Sequence, residues 1–83
     1  MKLKRSTRAE AHRRLVDAVI DGYVTWREES LALDGAYRRW KHAPRPERTA
    51  AFDEYVSALD REEQAATEYR RLAEEVGAVS RGR

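Results

Sequence analysis

The sequence predicts an all-α protein: an antiparallel two-helix hairpin, completed as a four-helix bundle by dimerisation. Three observations carry that prediction. Apolar and aromatic side chains recur at alternating steps of three and four along two long segments, the 3.5-residue period of helices packed in coiled-coil fashion. One proline-bearing break, Ala43-Pro44-Arg45-Pro46, separates the segments. The chain has 83 residues and no cysteine, so one small domain must hold itself together by helix packing without disulfides.

The first helix is expected at residues 8–42. Thr7 followed by Glu10 forms a capping box, in which each side chain satisfies a free backbone N–H of the first turn. Val16, Val19, Tyr23, Trp26, Ser30, Leu33, Tyr37 and Trp40 then make one seam, polar only at Ser30. The stop is Ala43-Pro44, because proline pushes the residue before it out of the α region.

The second helix is expected at residues 46–76. Pro46 suits a first helical turn, where its missing N–H is not needed, and Glu47 complements the positive helix end. Its seam is Phe52, Tyr55, Leu59, Glu62, Ala66, Tyr69, Ala73 and Val76, with Glu62 the charged interruption. Gly77 is a natural terminator, since glycine accepts the left-handed conformation that ends many helices. The segments 1–7 and 77–83 read as basic tails.

A short connection makes the two helices antiparallel neighbours. Opposed residues then have position numbers with a constant sum. The register that suits the turn pairs Trp40 with Phe52, Tyr37 with Tyr55, Leu33 with Leu59, Trp26 with Ala66, Tyr23 with Tyr69, Val19 with Ala73 and Val16 with Val76. It also brings Ser30 to Glu62, a polar layer of the kind that fixes pairing at some loss of stability. No internal repeat or low-complexity segment is evident.

Beside the seam, Ala51, Ala58, Ala65 and Leu72 recur every seven residues, opposite a flank of Leu15, Gly22, Glu29 and Ala36. Ile20, Val24 and Leu31 add an apolar strip outside it. A lone hairpin would leave that surface wet, and exposed apolar area of this kind marks an interface. Leu15, Ile20, Val24, Leu31, Ala51, Ala58, Ala65 and Leu72 are therefore the expected interface, with a second copy or a helical partner protein as occupant.

No catalytic, metal or cofactor site is expected. His12 extends the first seam and His42 ends the helix, where the dipole favours it. The two lie at opposite ends, and no Glu-x-x-His pattern of a bundle metal site is present. Glu62 sits on a seam without a nucleophile or base beside it. There is no Gly-rich phosphate loop. The longest apolar run is Ala18–Ile20, so no membrane span is expected, and the lack of cysteine fits a cytoplasmic protein.

The basic residues carry the alternative reading, a nucleic-acid-associated accessory protein. A hairpin would gather Lys2, Lys4, Arg5, Arg8, Arg13, Arg14, Arg81 and Arg83 at the end formed by both termini. Such a patch attracts polyanions in a salt-dependent way. The aromatic residues lie in the seams and do not interleave with the patch as a stacking platform would. In length and paired helices the chain resembles the small secreted helical hairpins that carry Trp-x-Gly at their turn. Here the corresponding stretch is Trp40-Lys41-His42, and Tyr69 is followed four residues on by Ala73 where those proteins carry an acid. The resemblance covers architecture alone. The function expected from the residues is a non-enzymatic protein–protein interaction or assembly module.

Overall fold

The structure, a computed structural model, describes residues 7–81. Helix α1 runs Arg8–His42, a turn of 3-10 helix spans Arg45–Glu47, and helix α2 runs Arg48–Arg81. The helices pack antiparallel as a hairpin.

The start and stop of α1 follow from its sequence. Thr7 Oγ1 accepts from the Glu10 N–H at 3.0 Å, and the Thr7 N–H donates to Glu10 Oε1 at 2.8 Å, so the capping box is complete. At the other end Ala43 is extended, with ψ 136°, as the following proline requires. Pro44 begins the 3-10 turn by accepting from the Glu47 N–H at 3.0 Å. Pro46 lies inside that turn, and α2 begins only after it, at Arg48 rather than at residue 46.

The C-terminal end of α2 departs further from expectation. The helix does not stop at residue 76 but continues through Gly77 to Arg81, and no glycine among the described residues has positive φ. Glycine inside a helix costs about 1 kcal/mol relative to alanine, and nothing downstream enforces a stop. Val76 is half-buried against the hairpin, Ala78 is a strong helix former, and no proline follows. The Arg81 guanidinium lies over the bare glycine: a Cβ placed there would be 3.1 Å from its Nη1. Residues 77–81 are thus the last turn of α2, not a tail. The rest of the expected tails, 1–6 and 82–83, lies outside the described residues.

The expected register is present. Ring centroids of Trp40 and Phe52 are 5.1 Å apart, those of Tyr37 and Tyr55 5.8 Å, and those of Tyr23 and Tyr69 5.6 Å. What differs is the rotation of each helix about its own axis. The most buried side chains are Ala36, Ala58 and Leu72, with 1%, 1% and 9% of their surface exposed. They belong to the seven-residue flanks. Gly22 marks how close the helices come, since a Cβ there would lie 3.3 Å from Leu72 Cδ1 and 3.7 Å from the Tyr69 Cα.

Among the residues expected at the interface, Ala58 and Leu72 are buried, and Leu15, Ala51 and Ala65 half-buried, on the strips where α1 and α2 approach each other. The physical reason is size. Alanine and glycine let two backbones approach, whereas tryptophan and tyrosine cannot be sandwiched between helices that close. The rings are displaced to one side.

Candidate functional site

The displaced rings form two clusters on one face of the hairpin. Near the turn, Trp40 stacks on Tyr55 at 5.2 Å with an interplanar angle of 16°, and Phe52 and Tyr37 close around them. Lys41 Nζ sits 5.8 Å from the Tyr37 ring centroid, a cation over an aromatic ring. At mid-length, Trp26 stacks on Tyr69 at 5.7 Å and 7°, and the Tyr23 ring meets Trp26 at 64°.

The clusters share a plan. Tyr23-x-x-Trp26 with Tyr69 is repeated as Tyr37-x-x-Trp40 with Tyr55, each element displaced by two heptads. In both, an α1 tryptophan lies flat on an α2 tyrosine, and an α1 tyrosine meets the tryptophan edge-on. The repeat is legible in the sequence once the stacking partners are known, but spacing alone does not single out these pairs.

Glu62 lies beside the mid-length cluster and accepts from the Trp26 indole N–H at 2.8 Å. Glu62 thus has a partner that the seam spacing did not give it, Trp26, one helical turn before Ser30. Ser30 itself is half-buried. A half-buried carboxylate with an indole donor is a satisfied structural group.

The two faces of the hairpin are unlike. Counting from the small-residue strip, the tryptophans lie four positions on, as Trp40 does from Ala36. The arginines of the cross-helix ion pairs lie three positions on, Arg39 from Ala36 and Arg61 from Ala58. Steps of four and three fall on opposite sides of a helix contact. Arg39 bridges to Glu54 at 3.0 Å and Arg61 to Glu29 at 3.4 Å. Arg71 joins Glu68 at 2.8 Å and also pairs with Glu75. Its hydrogen bond holds the Glu68 carboxyl below the usual range, and Glu68 in turn raises Arg71.

Among the described residues no cross-helix ion pair joins the aromatic seams. Tyr23, Tyr37 and Phe52 are on the seams that read as core, yet they are 45%, 42% and 42% exposed. Val56 and Ile20 border this face, and both are exposed. Val24 and Leu31, also exposed, lie on the outer side of α1 away from α2. Sequence periodicity identified the aromatic strips but assigned them to the hairpin's interior.

Of the basic residues expected at the terminal end, Arg8, Arg13 and Arg14 begin α1 and Arg81 ends α2, all with exposed side chains. Lys2, Lys4, Arg5 and Arg83 lie outside the described residues. His12 is half-buried and His42 exposed, 30 positions apart on a 35-residue helix. Among the described residues no three His, Cys, Asp or Glu side chains converge as a metal site would require, and no helix is long and apolar enough to cross a membrane. A depression of about 280 Å³ lined by Tyr37, Trp40, Lys41 and Arg48 opens at the turn. It is shallow and falls below the roughly 300–1,000 Å³ of ligand pockets. It is better described as the turn-end margin of the aromatic face.

The chain matches no protein-family model, no curated protein and no solved structure.

Proposed function

We propose that this chain is a non-enzymatic assembly module whose aromatic face docks on a second copy of itself to complete a four-helix bundle. The observation that carries this reading is the placement of the seam aromatics. Side chains with the spacing of a bundle core lie half-exposed on one face, while the opposite face is finished with ion pairs.

The surface area points the same way. The chain exposes 6868 Å², against about 5,100 Å² expected of a folded monomer of this mass. That excess exceeds the roughly 800 Å² per partner of a standard interface. Twofold dimers are the commonest closed assemblies, and one self-complementary face suffices for them.

Light scattering coupled to size exclusion, over a hundredfold dilution series, tests the reading. The expected result is a dimer whose thermal midpoint falls with dilution. A well-folded monomer at every concentration would overturn it.

A further inference from the structure

The geometry points to one docking arrangement for the second copy: a twofold axis parallel to the helices, which sets turn beside turn and termini beside termini. The inference rests on the assembly reading and adds its geometry. Two twofold arrangements can bury the aromatic face against itself. In the first the axis runs along the helices, and α1 packs beside the partner's α2. In the second the axis crosses the helices, α1 packs on the partner's α1, and the turns lie at opposite ends.

The flank of the aromatic face distinguishes them. On each helix it is the strip one step beyond the seam. Its central charges are Arg27 and Asp34 on α1, and Glu63 and Arg70 on α2. All four side chains are exposed, and none of them forms an ion pair among the described residues.

An axis along the helices permits no sliding. Each α1 is then level with the partner's α2 as it is with its own. Arg27 of one copy comes within about one helical turn, ~5 Å along the axis, of Glu63 in the other copy. Symmetry makes two such pairs. On the seams, Tyr23 comes beside Ala66 of the other copy, large against small, and Tyr37 beside Phe52.

An axis across the helices permits sliding, in steps of a heptad if the seams stay aligned. The central step sets Arg27 opposite its own copy. The next, which sets Arg27 against Asp34, puts Glu63 opposite itself on the other pair of helices. The step in the other direction puts Arg70 opposite itself. The hairpin's fixed register links the two contacts, so each of these central alignments opposes like charges on one of them. Opposed like charges disfavour a docking mode even where opposite charges add little.

The chain has no cysteine, so a single spin label can be placed at the exposed turn by Arg45→Cys. Pulsed electron resonance on the labelled dimer is expected to give a label–label distance below about 35 Å, two helix spacings plus linkers. The crossed arrangement would give a distance of about 50 Å, the length of a 35-residue helix, and that result in a dimeric sample overturns the inference while leaving the assembly reading intact. A monomer by light scattering on the same sample overturns both. Charge reversal supplies a second arm. Arg27→Glu is expected to weaken the dimer roughly tenfold, and adding Glu63→Arg in the same chain is expected to restore it. Failure of the second substitution to restore dimerisation, with helicity retained, also counts against this geometry.

Discussion

The bond between Trp26 and Glu62 joins the two helices through one donor and one acceptor. Trp26→Phe keeps an aromatic ring for stacking on Tyr69 but removes the donor. The expected loss is about 1–2 kcal/mol, since a hydrogen bond to a charged group is made and then abandoned at a half-buried site. Glu62→Gln keeps an acceptor and is expected to lose less than half as much. Urea unfolding at fixed protein concentration measures both, and equal losses would show that charge, not the indole donor, carries the contact. Sequence reading singled out Glu62 as a polar residue on a seam. It did not find the partner, because the indole N–H lies about 5 Å of side chain away from its own backbone and can reach across a layer.

At the scale of the helix, α1 was readable at both ends because its signals are steric and directional: a capping box at Thr7 and Glu10, and a proline at 44. The end of α2 was not, because glycine carries two meanings. At a left-handed terminus it relieves strain, and inside a helix it merely lowers stability. The two give opposite predictions. Gly77→Ala is expected to raise stability by roughly 0.5–1 kcal/mol, with the Arg81 side chain swinging off, whereas a left-handed Gly77 would make the same change destabilising. Gly22→Ala is the contrast, since its Cβ would press on Leu72 Cδ1 and stand near the Tyr69 backbone. Thermal unfolding of both variants decides the matter. The surface of α2 adds a pH effect. The hydrogen bond from Arg71 lowers the Glu68 pKa, so its contribution is present above the ordinary carboxylate range and is lost as pH falls through the lowered value. Between about pH 5 and pH 3, wild type is expected to lose more helicity by circular dichroism than Arg71→Ala, in which the pair is already absent. Equal acid profiles would show that the pair does not stabilise the helix.

The whole molecule measures 62 × 34 × 13 Å along its principal axes. Its least dimension is that of a single layer of helices, whereas stable domains enclose a core between at least two. This explains why the fold was legible and its core was not. A repeat of three and four names the residues that share a strip. It does not say which strip faces which neighbour when more than one helix is to be packed. Here the strips that read as core are those suited to the centre of four helices, and the pairing of α1 with α2 uses the smaller residues beside them. Val24 and Leu31, exposed on the outer side of α1, belong to neither arrangement.

Both tryptophans of the chain stand on the aromatic face, one in each cluster. The intrinsic emission of the folded protein is therefore the emission of a single surface. Whatever covers that surface excludes water from the two indoles and shifts their light to shorter wavelength, while an event on the charged face leaves the spectrum alone. The protein carries its own optical reporter, sited where an occupant would arrive.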